Sequence, residues 1–260
     1  MVRPKKHLGQ HFLTDENIAS KIAGSLSWQS ESVIEVGPGT GVLTKYLLKQ
    51  EAPMPFFFEV DDESVEYLLR KFPEIGQNLL HADFLKANLG SIPGTISVIG
   101  NFPYNISSQI LFKVLENRDR VIEVVGMFQK EVAERIASPP GSKKYGILSV
   151  LLKAFYDVDY LFTVDPGVFF PPPKVKSAVI RMKRNETGKL ECDEALFFRV
   201  VKTGFNQRRK TLRNALKQLG FGESEGLGSL MSKRAEQLSV EDFITLTQVL
   251  SSERERLRIG

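Results

Sequence analysis

Residues 33–44 read VIEVGPGTGVLT: a β-branched run, three glycines spaced two apart, and the start of a helix-prone stretch. Glycines at 37, 39 and 41 let the chain turn sharply and bring bare backbone against a ligand before a helix starting at about Thr40. The spacing is G-x-G-x-G, not the G-x-G-x-x-G that seats a pyrophosphate on a helix start. A nucleoside without phosphates asks only for close approach. Such turns also serve as plain strand–helix connectors, so the weight of this one depends on its neighbours.

Working outward, short apolar or β-branched runs occur at 32–36, 55–60, 78–82, 95–100 and 121–128, with helical patterns such as 42–50 and 63–72 between the early ones. That alternation predicts βαβ units and a doubly wound, mostly parallel Rossmann-like α/β sheet. Two later runs, 156–164 and 177–183, have a turn at 166–173 instead of a long helix between them, which predicts an antiparallel edge. The polar stretch RNETGKLECDE after Lys183 marks a boundary. Two domains follow: 1–185, carrying the sheet and the glycine turn, and 186–260, small and all-α. In the second, helical patterns run over 194–205, 208–219 and 240–250, the last with Ser239 and Asp242 placed as a capping box.

Composition narrows the class. The chain has 260 residues, 42% hydrophobic and 25% charged, with no apolar run near the roughly 18–20 residues of a membrane span. Its start, MVRPKKHLGQHFL, lacks the apolar segment of a secretory signal. A lone Cys192 and three scattered histidines argue against disulfides and metal sites and fit the cytoplasm. The net charge of +4 is unevenly spread: residues 181–260 hold 16 Lys/Arg against 11 Asp/Glu, the first 180 hold 19 against 20, and Arg3, Lys5 and Lys6 form a further small cluster. A catalytic domain joined to a nucleic-acid-gripping module has this distribution, as does a solvated helical surface.

The strand ends carry the chemistry. Glu59 closes the second strand, FFFEVDD, 22 positions after Gly37, near the ~20-residue offset at which an acid meets ribose hydroxyls. Val60 adjoins it. Asp83 follows the third strand as an acceptor for an adenine amine, with Phe84 beside the ring. The fourth ends in Asn101-Phe102-Pro103-Tyr104, which suits methyl transfer to a planar amine. The Asn101 oxygen and Phe102 carbonyl hold both amine hydrogens, Pro103 fixes the loop without donating, and Tyr104 offers a ring for stacking.

With these residues in place the chain resembles the bacterial 16S ribosomal RNA adenine N6,N6-dimethyltransferase family, whose loss gives kasugamycin resistance. The similarity runs nearly end to end through PKKHLGQHFL (4–13), EVGPGTGVLT (35–44), NFPY (101–104), QKEVAERI (129–136), FFPPPKVKSAV (169–179) and FNQRRKTLRN (205–214). It departs from the family pattern at His11, often Asn, and Phe102, usually Leu or Ile. The resemblance implies S-adenosylmethionine as cofactor, contacted by Gln10, His11 and Leu13 and by Gly37, Gly39, Glu59, Asp83 and Asn101. It implies that Phe169 faces Tyr104 across the target base. It further implies 16S rRNA within immature 30S subunits as partner and a monomer as the working form.

Arg208, Arg209, Lys210 and Arg213 fall within six residues. If a helix starts at 208, Arg209 and Arg213 share one face, and cations there oppose the helix dipole, which makes RNA phosphates the better reason for them. Lys143 and Lys144, in a Gly/Pro loop, add to this set. Three other functions compete: a large-subunit resistance methyltransferase, an assembly factor whose methylation is secondary, and an NAD-dependent oxidoreductase. The complete PPPKVKS and QRRKTLRN stretches disfavour the first and the glycine spacing the third; intact NFPY and GPGTG argue that catalysis is retained, which leaves room for the second beside it.

Overall fold

The computed structural model describes residues 2–219 and 227–259. It divides into two compact units, Met1–Ala133 with Val158–Arg184, and Glu134–Asp157 with Asn185–Gly260. The expected boundary at 185 coincides with one junction. The stretch 134–157, expected in the first domain, belongs to the second unit.

The strands are β1 (Phe12–Leu13), β2 (Ser32–Val36), β3 (Phe56–Glu59), β4 (Leu79–His81), β5 (Ile96–Asn101), β6 (Val121–Gln129), β7 (Tyr156–Val164), β8 (Phe169–Phe170) and β9 (Ser177–Arg184). Seven form a sheet in the order β4-β3-β2-β5-β6-β9-β7, and β1 pairs with β8 apart from it. β2, β3, β4, β5 and β6 run parallel; β9 is antiparallel to β6 and lies between it and the edge strand β7. Every residue of β2 is buried, as a parallel strand covered on both faces requires. The order reverses between β2 and its neighbours β3 and β5, so a crevice opens at the carboxyl ends of these strands.

The helices are α1 (Glu16–Ala23), α2 (Thr44–Leu47), α3 (Asp62–Lys71), α4 (Ser107–Glu116), α5 (Lys130–Ala137), α6 (Ile147–Lys153), α7 (Glu194–Asn206), α8 (Leu212–Leu216), α9 (Gly228–Ser232) and α10 (Val240–Ile259). α2 starts four residues later than the glycine spacing predicts: residues 39–43 are a turn. In the second unit α6 is buried from Leu148 to Leu152 and packs on α7 and α10, which is why 134–157 belongs there. Ser239 and Asp242 cap α10 reciprocally, each backbone N–H donating to the other's side chain at 3.1 Å.

The first unit's core explains the phenylalanine of NFPY. Phe102 is buried edge-on against Phe128, centroids 5.2 Å apart, in a space left open by Gly100 and Gly126. A Cβ on Gly126 would meet the Phe102 ring at 2.4 Å and the Phe128 ring at 2.6 Å. Gly126→Ala is expected to destabilise the protein by about 1–3 kcal/mol through overpacking. Adding Phe102→Leu should recover part of that loss in urea denaturation. A double variant no more stable than Gly126→Ala would refute the shared-space account.

Candidate active site

The crevice holds a cavity of about 430 Å³ lined by Leu8 to Phe12, the glycine turn, the ends of β3 and β5, and residues 82–86 and 101–106. Gly37 and Gly39 take positive φ, +68° and +56°. A side chain on Gly39 would also strike the Phe12 ring, 2.9 Å from an ideal Cβ. Glu59 is buried at the wall. Its carboxylate accepts from the backbone N–H groups of Gly39 (3.0 Å), Val60 (2.8 Å) and Asp61 (3.0 Å). Burial pushes its pKa up, and the three N–H donors oppose that rise. A carboxylate has about four acceptor sites, so one remains for a ligand hydroxyl. Val60 stands exposed at the rim, Phe84 is buried edge-on against Phe58, and Asp83 accepts from Leu85 N–H at 2.9 Å on the same wall.

At the end of β5, Asn101 donates its side-chain N–H to the His11 carbonyl at 2.8 Å. A carbonyl only accepts, so the amide nitrogen faces it and the Asn101 oxygen is left without a protein donor among the described residues. His11 contributes more than backbone: its Nδ1 lies 2.7 Å from the Pro171 carbonyl and its ring stacks on Tyr104, centroids 5.5 Å apart. The Tyr104 hydroxyl and Ser177 Oγ share a 2.5 Å hydrogen bond. Burial holds the phenol above its ordinary pKa despite that bond, so at neutral pH it is no base. A second cavity, about 480 Å³, shares Gly9, Gln10, His11 and Tyr104 with the first and is otherwise lined by Pro4, Lys6, Gln129 and 171–175.

Two site residues lie elsewhere than expected. Phe169 and Leu13, paired across β8 and β1, are both buried in the core cluster and line neither of these two cavities. Directly opposed residues on antiparallel strands point to one side. Phe12 and Phe170 therefore take the other side; Phe12 lines the first cavity, and Phe170 is 58% exposed. The ring beside Tyr104 is that of His11. Gln10 lines both cavities, but its side chain is occupied by the Lys5 backbone N–H and by Asp61. Sequence reasoning misses Asp61, Ser177 and Gln129; the last two are cross-strand partners at the end of β6, a register visible only in the sheet.

In the second unit no helix starts at 208. α7 ends at Asn206, residues 207–210 turn, and α8 begins at Leu212. Arg209 and Arg213 therefore do not share a helix face. Arg208 and Arg209 follow the carboxyl end of α7, where the dipole favours cations, so the dipole argument for an RNA role reverses. Arg208 is bound to Glu236 at 2.5 Å and to the Lys143 carbonyl. Lys144 is paired with Glu134 at 2.5 Å. Lys143, Arg209, Lys210 and Arg213 are exposed.

The family model described as ribosomal RNA adenine dimethylase matches residues 1–252. The chain belongs to the ribosomal RNA adenine dimethylase family. It is 56% identical to the ribosomal RNA small subunit methyltransferase A of Cytophaga hutchinsonii, over 96% of this chain and 98% of that one. The corresponding protein of Flavobacterium johnsoniae is 55% identical, over 97% of each. Among solved structures, a dimethyladenosine transferase from Plasmodium falciparum superposes with a TM-score of 0.77 at 26% identity, covering 94% of this chain and 98% of that one. The 23S rRNA methyltransferase ErmE shares the fold with a TM-score of 0.65 at 24% identity, covering 91% and 99%. The fold is that of class I methyltransferases, and S-adenosylmethionine is the methyl donor of the family. The first cavity fits that donor on this chain's own geometry. Its volume lies in the ~300–1,000 Å³ range of small-molecule sites, its glycine turn admits close approach, and Glu59 keeps an acceptor site.

Behind this wall Glu35 is fully buried, its carboxyl accepting from the Thr44 hydroxyl at 2.7 Å. Burial raises its pKa to about 8; the Thr44 hydrogen bond opposes this and the Glu59 charge adds to it. The fold therefore keeps a proton that the unfolded chain releases near 4.5. Stability falls as pH rises through that window, by at most ~1.4 kcal/mol per unit. Denaturation of the ligand-free protein between pH 5 and 8 should show this decline in the wild type and a flatter profile in Glu35→Gln. Parallel profiles would exclude a proton held by Glu35.

Proposed function

We propose that the chain dimethylates the N6 amines of two adjacent adenines in the 3′-terminal hairpin of 16S rRNA, acting as a cytoplasmic monomer on immature 30S subunits and so serving their biogenesis. The observation that carries this reading is Asn101: its amide nitrogen is spent on the His11 carbonyl, and its oxygen is left at the wall of the donor cavity beside Tyr104. Support for the small-subunit substrate comes from the names of relatives more than 50% identical over nearly the whole chain.

Glu59 accepts from the ribose, and Asp83 and Phe84 receive the adenine of the cofactor. When bound, S-adenosylmethionine supplies an electrophilic methyl group on a cationic sulfur. The Asn101 oxygen and Phe102 carbonyl accept the two hydrogens of the target amine, whose lone pair is otherwise delocalised into the ring, and favour a pyramidal nitrogen. Tyr104, backed by His11 and tethered to Ser177, presents the ring on which the base stacks, and the second cavity receives the flipped nucleotide. Since the phenol is neutral, these residues act by positioning and exclusion of water, and the amine's proton leaves without a dedicated base.

Single-turnover methylation of undermethylated 30S subunits, with 50S particles as control, tests the assignment. Tyr104→Phe keeps the ring and should retain most of the rate, whereas Tyr104→Ala should lose on the order of ten- to a hundredfold, the worth of a ~1–3 kcal/mol stacking platform. Asn101→Ala should be slowest at any RNA concentration. A Tyr104→Phe enzyme as slow as Asn101→Ala would make the phenol a chemical participant and defeat the stacking account; preference for 50S would defeat the substrate assignment.

For RNA binding we propose Lys143, Arg209, Lys210 and Arg213, with Arg208 and Lys144 bracing the second unit. Arg209→Gln with Lys210→Gln should flatten the log–log salt dependence of RNA binding by about 0.7–0.9 for each phosphate no longer neutralised. Arg208→Gln should leave that slope alone and lower stability instead. An unchanged slope in the double variant would return these residues to the solvated surface.

A further inference from the structure

Of the basic cluster at the N-terminus, Lys5 is tied into the first unit by its charge and Arg3 by its backbone. Lys5 Nζ forms an ion pair with Asp61, whose side chain is fully buried, and the Arg3 backbone N–H donates to Glu63 at 3.2 Å. Asp61 gathers two further donors, Gln10 Nε2 at 3.3 Å and Ser64 Oγ at 2.9 Å, while Gln10 returns its oxygen to the Lys5 backbone N–H at 2.8 Å. Burial pulls the Asp61 pKa up, but the hydrogen bonds from Lys5, Ser64 and Gln10 and the Lys5 charge outweigh it and hold the carboxyl below its ordinary value. Residues 5–12 thus leave an anchor at the end of β3 and reach a second anchor at the end of β5, where the His11 carbonyl receives Asn101. Between the anchors, Leu8 to Phe12 line the first cavity.

We infer that Asp61 is a positioning residue that latches this N-terminal strap over the cofactor cavity, so that a charge pair within the protein preorganises the wall before the cofactor arrives. The inference rests on the reading of that cavity as the S-adenosylmethionine site. Asp61 serves both sides of the wall: its side chain holds the strap, and its backbone N–H holds Glu59. Without the carboxylate, Lys5 and Gln10 lose their shared acceptor, and ordering the strap must then be offset by cofactor binding itself.

Two measurements test the latch. The first is tryptic cleavage after Lys6, a site that every variant below keeps, in the ligand-free protein, followed by mass spectrometry; the second is calorimetric affinity for S-adenosylhomocysteine. Asp61→Asn, close in shape, should speed release of the N-terminal residues several-fold and weaken affinity about tenfold, which corresponds to ~1.4 kcal/mol. Lys5→Gln should do the same in part, and serves if Asp61→Asn does not fold. The two changes together should be no worse than Asp61→Asn alone, because they remove one interaction. Unchanged cleavage, faster cleavage with unchanged affinity, or additive losses each overturn the latch. Glu59→Ala is the control for the cavity: if it loses affinity while Asp61→Asn does not, only the latch fails. If neither variant loses affinity, the cofactor is not in this cavity and both readings fall.

Discussion

A carboxylate buried at the end of a central strand must find donors, and Glu59 finds three, all backbone N–H groups. One comes from the glycine turn after β2 and two from the chain leaving β3. The same contacts therefore close the glycine turn, fix the start of α3 and aim the remaining acceptor site at the cavity. Gly39 must be glycine on two counts, a positive φ and the ring of Phe12 lying over it. The wall of the first cavity is assembled around one buried carboxylate, and the burial of that group makes the arrangement specific.

A second organising contact is longer-range. The segment at 11–13 and the segment at 168–171 are joined by the β1–β8 ladder, the His11–Pro171 hydrogen bond and the hydrogen bonds of Thr14 to the Val168 carbonyl. This splice carries His11 onto Tyr104 and sets Leu13 with Phe169 in the core. Two cavities then meet at a shared wall of Gly9, Gln10, His11 and Tyr104. His11, where the family pattern often has Asn, contributes a stacked ring and a hydrogen bond, neither inferable from that pattern.

The second unit shows how a charge run misleads when its local structure is misread. Four basic residues in six look like one surface. They divide instead between an internal brace, Arg208 to Glu236, and exposed positions in a turn and the short α8. Counting charges locates the basic region; the Glu236 contact shows that Arg208 is committed inside the unit.

The sequence by itself determined the fold class, the seven strands of the main sheet and which residues stand at their ends. These depend on near neighbours: β-branched runs bounded by turn residues, glycines two apart, acids at or just beyond a strand's end. Glu59, Asp83 and the NFPY motif reach the crevice because parallel βαβ units bring every strand's carboxyl end to one side. Tertiary structure decided which side chain meets which. That Phe169 turns inward while Phe170 turns out follows from one register in β8, and a shift of one residue reverses it. That Lys5 belongs to Asp61, 56 positions away, and that residues 134–157 pack with the C-terminal helices, depend on contacts between segments remote in the chain. Local periodicity carries no record of such partners, because a buried charge or ring is satisfied by whatever the completed fold places beside it.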